Sequence, residues 1–309
     1  MAETPKTAEL RAIAQAIADT LPPSIEEIVL TGSVSRGVAD NVSDVEMLLV
    51  TPEEPDLAEC FSLAAEAGLT NLDTWGPQGV PTKRVSGSRD GAPFELVWWS
   101  RAAAETAVDA VFELDRSGTA DALVNGVALR TSGLLAEWQE RLRHYPDELA
   151  QAHIEDAALT WGGFAAAGLL TIVRPGERLS MLERLVDDAT RVGRIVFALN
   201  RVWQPTTKRL ADRVAVLQTK PERLAARIEE ALTEPDPRRA VLLLTELQAD
   251  TVALAPGGPI FHLSDAERYR RLNDAVCVCV GEVRASADPE TGPDLVLDVA
   301  ELIWEPIAD

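Results

Sequence analysis

The chain has 309 residues, 46% of them hydrophobic, and its 29 basic and 50 acidic residues give a formal charge of −21. Apolar residues recur along the whole length, which excludes a disordered chain and suffices for one large domain or two ordinary ones. The negative charge argues against a nucleic-acid surface, since affinity for a phosphate backbone comes from Lys and Arg, and it fits a cationic small substrate as well as simple solubility. Three cysteines, Cys60, Cys277 and Cys279, cannot all pair, as expected of a reduced cytoplasmic protein. The first residues show no basic-then-apolar leader. The longest near-apolar stretch, Gly162 to Val173, is shorter than the roughly 20 residues that span a bilayer.

Taken in chain order, residues 7–20 place Leu10, Ile13, Ala14 and Ile17 at helical spacing, stopped by Leu21-Pro22-Pro23. Ile25 to Thr31 reads as a short buried strand and Val45 to Val50 as a second, ended by Thr51-Pro52. Asp56 to Ala67 reads as a helix closed by Gly68. Thr82 to Ser88 and Phe94 to Trp99 read as a hairpin about the turn Arg89-Asp90-Gly91-Ala92-Pro93, which the Asp-Gly pair supports. From residue 101 onward Ala/Leu/Arg/Glu segments predict helices over 101–114, 119–130, 133–143, 147–171, 179–201, 208–217, 221–233, 237–253 and 264–285, while Leu295 to Trp304 fits strand or helix. The change of character sets a boundary near Arg116-Ser117-Gly118. The expectation is an α/β domain over 1–118, a mixed sheet with flanking helices, and an α-helical bundle over 119–309.

The segment with most chemical content is Thr31-Gly32-Ser33-Val34-Ser35-Arg36-Gly37, followed by Ser43-Asp44-Val45-Glu46-Met47. A strand running into Gly-Ser and then a short helix leaves backbone N–H groups suited to phosphate oxygens. Residues i and i+2 of a strand share a face, so Asp44 and Glu46 emerge together while Val45, Met47 and Leu49 face the core. Two adjacent carboxylates repel, and a hard divalent cation such as Mg²⁺ compensates them; for the pair taken alone, an exposed strand face is the alternative. Glu95, inside the apolar run Pro93 to Trp99, is the natural third ligand; the alternative is an edge strand with Glu95 facing water.

Gly-Ser, Asp-x-Glu on the next strand and a later carboxylate together resemble the polymerase-β-type nucleotidyltransferase superfamily. Ser43-Asp44-Val45-Glu46-Met47 is most similar to the kanamycin nucleotidyltransferase branch. The resemblance covers about 70 residues and implies an α/β catalytic domain followed by a helical bundle. It also implies triphosphate binding at Gly32, Ser33 and Arg36, with Mg²⁺ on Asp44, Glu46 and Glu95. The stretch Asn200-Arg-Val-Trp203-Gln-Pro205-Thr-Thr-Lys208 resembles a segment of uncharacterised bacterial nucleotidyltransferase-like proteins, and Lys208, one of only four lysines, is a further triphosphate candidate. The helical-domain glutamate that serves that branch as general base aligns with an apolar stretch, Phe164 to Gly168, leaving Glu155, Asp156, Glu177, Asp187 and Asp188 as substitutes.

The implied activity is transfer of a nucleoside monophosphate, AMP from ATP, onto a hydroxyl of a small polar acceptor such as an aminoglycoside-like antibiotic or metabolite, with pyrophosphate released. Two rivals stand beside it: AMP transfer to a protein or RNA, and a degenerate nucleotide-binding module. Monomer and homodimer both stay open. No Gly-x-Ser-x-Gly elbow, Walker A motif or Gly-x-Gly-x-x-Gly fingerprint occurs. Cys277-Val-Cys279 lacks zinc partners, and His144, His153 and His262 are scattered. Trp98 and Trp99 suit strand packing or the flank of a substrate ring.

Overall fold

Six strands, β1 (Glu27–Leu30), β2 (Val45–Thr51), β3 (Thr70–Asp73), β4 (Lys83–Arg89), β5 (Ala92–Ser100) and β6 (Val127–Arg130), form a sheet in the order β3-β4-β5-β2-β1-β6. The computed structural model describes residues 3–75, 83–114, 117–155, 157 and 178–255. β2 and β5 run parallel, and every other neighbouring pair is antiparallel. The expected mixed sheet with flanking helices is therefore present. One face of it carries Ile28, Leu30, Val45, Met47, Leu49, Leu96 and Trp98, all buried, against Leu10, Ala14 and Ile17 of α1 (Pro5–Thr20) and Cys60 and Ala64 of α3 (Leu57–Glu66). Cys60 is fully enclosed there, and burial pushes its thiol up to about 12. Alternation along β5 leaves Glu95, Val97 and Trp99 half-buried on the opposite side.

The helix at the start of the chain also fixes the loop that precedes β2. Thr4 caps α1 by accepting from the Thr7 amide, and its hydroxyl donates to the Ala39 carbonyl at 2.7 Å. Thr7 Oγ1 accepts from the Ala39 amide at 3.0 Å, and the Thr4 amide donates to Gly37 O at 3.1 Å. Farther along, Ser43 Oγ donates to Asp40 Oδ1 and accepts from the Asp40 amide, both at 2.9 Å, closing the turn directly ahead of Asp44.

The hairpin forms about Asp90 and Gly91, both at positive φ (53° and 78°), the conformation a two-residue loop matched to strand twist requires. β3 has no counterpart among the expected elements. Its four residues are mostly exposed at the sheet edge, so no burial pattern marks them. The helix expected over 119–130 is a further difference. Instead α5 (Ser117–Val124) stops at Asn125-Gly126, and residues 127–130 become β6, antiparallel to β1. A side chain at Gly126 would meet Val29 Cγ1 at 2.7 Å, so this glycine permits the close turn onto β1. Arg130 of β6 then donates to the carbonyls of Ala18, Leu21, Pro22 and Ile25, gathering the open end of α1.

The pairing of β6 moves the boundary as well. The chain divides into Met1–His144 and Tyr145–Asp309, not at 118, because α5, β6 and α6 (Leu134–Arg143) belong with α4 (Arg101–Leu114) and the sheet. In the second unit the described residues are helical over α7 (147–155), α8 (Arg178–Leu199), α9 (Leu210–Ala215), α10 (Leu224–Thr233) and α11 (Pro237–Ala253). Leu185, Val192, Val196 and Phe197 of α8 pack with Leu224 of α10 and Leu244 and Leu247 of α11. The helix expected over 264–285, the stretch Leu295 to Trp304, most of 156–171, Cys277, Cys279 and His262 lie outside the described residues.

Candidate active site

The pairing of β2 with β5 sets Glu46 opposite Glu95 in register, and Asp44 precedes β2 on the same face. One carboxylate oxygen from each of Asp44, Glu46 and Glu95 lies within 4.8 Å of the other two, and all three side chains are half-buried. The three residues singled out from the sequence are thus brought together by strand register. Ligand oxygens about one Mg²⁺ sit about 2.0–2.1 Å from the ion, hence up to about 4.2 Å apart, so small side-chain adjustments close the cluster around a cation. An all-oxygen, anionic donor set suits Mg²⁺ in its chemistry too.

Gly32 opens α2 (Gly32–Ser35) at φ +69°, and a Cβ there would lie 1.7 Å from Glu46 Oε2. The absent side chain is the space that the Glu46 carboxylate occupies. The Thr31 amide donates to Glu46 O at 2.9 Å, tying the Gly-Ser turn to the carboxylate strand. Ser33 is half-exposed beside it, and Ser35 Oγ donates back to Gly32 O at 3.0 Å. Arg36 Nη1 is 3.8 Å from Asp121 Oδ2 of α5, so its charge is engaged by α5.

A cleft of about 260 Å³ extends from Glu46 and Glu95 over Leu48, Val97 and Trp99, with Arg84 of β4 on one side and Thr119, Ala122 and Leu123 of α5 on the other. Trp98 and Trp99 have separate roles. Trp98 is wholly buried in the core, whereas Trp99 forms a cleft wall, and among the described residues neither indole N–H has a partner. The sequence reasoning missed Arg84. An arginine at alternate spacing on the strand paired with β5 was the available signal, since it shares the face of Glu95.

The remaining expectations fall in the second unit. Lys208 is exposed in the turn ahead of α9. Asn200 is a loop staple: its Nδ2 donates to Val196 O and Thr219 O, and its Oδ1 accepts from the Gln218 and Thr219 amides, at 2.7–3.0 Å. Of the substitute bases, Asp156 and Glu177 lie outside the described residues. Glu155 accepts from Gln151, and Asp187 pairs with Arg184 and Arg191. Asp188 is 7% exposed, and among the described residues its Oδ1 has no partner; burial pushes its carboxyl up to about 7, against the opposing pull of Arg184. Tyr145 Oη and His153 Nδ1 are 2.8 Å apart, and Tyr145 stacks on Trp203 at 4.3 Å, a structural pairing for that histidine.

No protein-family model matches the chain, and no curated protein matches it. Among solved structures, it is similar to a nucleotidyltransferase-like protein from Exiguobacterium sibiricum 255-15, with 11% identity, 91% of each chain covered and a TM-score of 0.37. It is also similar to terminal uridylyl transferase 4 from Trypanosoma brucei, solved with bound GTP, with 11% identity, 93% of this chain and 70% of that one covered, and a TM-score of 0.25. Likeness at these scores carries no weight for function, which is read from the site itself. Among the described residues no helix is long and apolar enough to cross a membrane.

Proposed function

We propose that this protein is a Mg²⁺-dependent nucleotidyltransferase that moves a nucleoside monophosphate, AMP from ATP, onto a hydroxyl of a small polar acceptor. The observation that carries the reading is the convergence of Asp44, Glu46 and Glu95, whose ligand oxygens lie within 4.8 Å of one another, two of these residues lining a cleft. The acceptor hydroxyl loses its proton and forms a bond to the α-phosphorus. The bond from that phosphorus to the bridging oxygen breaks in line, and pyrophosphate departs. Mg²⁺ held by the three carboxylates would offset the charge of the triphosphate and favour ionisation of the attacking hydroxyl. Gly32 admits close backbone approach, Ser33 offers a hydroxyl and an amide for phosphate oxygens, and Arg36 would exchange Asp121 for a phosphate to take part. Glu95, one strand farther from Gly32 than Glu46, stands on the acceptor side of the cluster.

Incubation with α-labelled ATP, Mg²⁺ and a panel of hydroxyl-bearing acceptors tests this directly. The reading requires stoichiometric pyrophosphate and a labelled acceptor, both abolished by EDTA and by Glu95→Gln. Pyrophosphate release that persists in Glu95→Gln would contradict it.

A further inference from the structure

Arg84 lines the cleft with Glu46 and Glu95, and its situation differs from that of arginines elsewhere in this acidic chain. Arg101 pairs with Glu26, Arg141 with Glu105 and Asp109, and Arg191 with Asp187. Among the described residues Arg84 makes no ion pair, and its guanidinium donates no hydrogen bond. It instead lies over the Trp75 indole, with Cζ 4.4 Å from the ring centroid. Stacking engages the flat face of a guanidinium, whereas its N–H donors radiate in the plane and stay available at the edge. That edge is a fork matched to a carboxylate or phosphate.

Strand order tells which part of a bound substrate this fork would meet. From β1, which leads into Gly32 and Ser33, the sheet passes to β2 with Glu46, then β5 with Glu95, then β4 with Arg84. Neighbouring strands are about 4.8 Å apart, so β4 lies about 14 Å from β1. Ser86 pairs with Glu95 and Arg84 with Val97, which sets Arg84 diagonal to Glu95 on the same face, within reach of a long side chain. The cation therefore stands beyond Glu95, on the side away from the Gly-Ser turn. Val97, opposite Arg84 in register, and Trp99, two residues farther along β5, supply the apolar floor of the same cleft.

We propose that Arg84 is an anion-binding arm of the cleft, holding the carboxylate or phosphate of a small molecule whose body lies over Val97 and Trp99. On the transfer reading above, on which this one assignment rests, that molecule is the acceptor. The acceptor is then anionic at one end, and a polycation of the aminoglycoside kind is the poorer fit.

The test uses the full chain in EDTA, titrated with inorganic phosphate, and compares wild type with Arg84→Gln and Arg84→Lys after melting curves have shown all three folded. Phosphate affinity should fall about tenfold or more in Arg84→Gln and be partly kept in Arg84→Lys, the point charge replacing the fork. Affinity for a non-hydrolysable Mg-ATP analogue should stay within about twofold. Equal phosphate affinity in Arg84→Gln overturns the proposal. So does a tenfold parallel loss of analogue affinity, which would make Arg84 a nucleotide ligand. A Mn²⁺ titration of wild type and Asp44→Asn separates this from the transfer reading. Arg84-dependent phosphate binding without Mn²⁺ binding at the carboxylates supports the arm and sinks the transferase. Asp44-dependent Mn²⁺ binding with Arg84-independent phosphate binding does the reverse.

Discussion

Asp44, Glu46 and Glu95 in the first unit and Asp188 in the second are all carboxyls partly or wholly removed from water, yet their surroundings differ in kind. The first three are half-buried and converge on one another, and Glu46 and Glu95 line a cleft. Asp188 is enclosed between α8 and the Gln248 side chain of α11, and burial is the leading cause of its raised pKa. Repulsion within a cluster is relieved by a cation, whereas desolvation of a buried acid is relieved by a proton. Acidity in a sequence therefore has two structural meanings, and strand register against helix burial decides which one applies.

The largest effect that sharpens this contrast belongs to Asp44→Asn. Transfer should drop by about three decades, about 4 kcal/mol of transition-state stabilisation, while the metal-free protein melts no lower than wild type because one like charge has gone. Retention of more than about a tenth of the rate would separate the cluster from catalysis. Gly32→Ala comes next. Its Cβ would displace the Glu46 carboxylate, so metal affinity should fall about a hundredfold, with about 1 kcal/mol of added strain from an alanine at φ +69°. Combined with Glu46→Gln, the two losses should not add, since both act through one side chain.

Asp188→Asn tests the other half. With the folded-state pKa near 7 and the ordinary value at 3.8, the folded protein holds a proton between those pH values that the unfolded chain has released. The contribution of Asp188 to stability is thus full below about pH 4 and is lost as pH rises through 7. The asparagine variant should flatten that slope and be more stable at pH 8 by roughly 2 kcal/mol, read by urea unfolding at pH 5 and pH 8. An unchanged slope would show that burial is not what governs this carboxyl. Smallest is Asn200→Ala, which should cost the second unit about 1.5 kcal/mol by freeing the backbone groups of Val196, Gln218 and Thr219, while leaving Mn²⁺ affinity at the carboxylates unchanged.

Alternation made much of this legible in advance. The period of two in Asp44-Val45-Glu46-Met47 assigns faces without any knowledge of partners, and the faces are as expected. Glu95 was readable as a charge within an apolar run. What pattern alone could not supply was pairing between distant segments. Residues 127–130 look like the tail of an Ala/Leu helix, and only their pairing with β1 makes them a strand, which is also why the unit boundary falls after α6. Asn200 stands out in the sequence only through the resemblance of its stretch, and its side chain holds a backbone carbonyl 19 residues away, which no local reading reveals. Arg84 was overlooked because one arginine on a strand carries no motif.

Cys60 gives the first unit a use at the bench. Enclosed under α3 with its thiol pushed up to about 12, it is shielded from alkylating reagents as long as the sheet and its helices stay together. Modification of the peptide that carries it, followed by mass spectrometry, then becomes a clock for opening of that unit. The same clock run with and without Mg²⁺, or with each variant above, reads how tightly the carboxylate end of the sheet is held, with no acceptor and no turnover required.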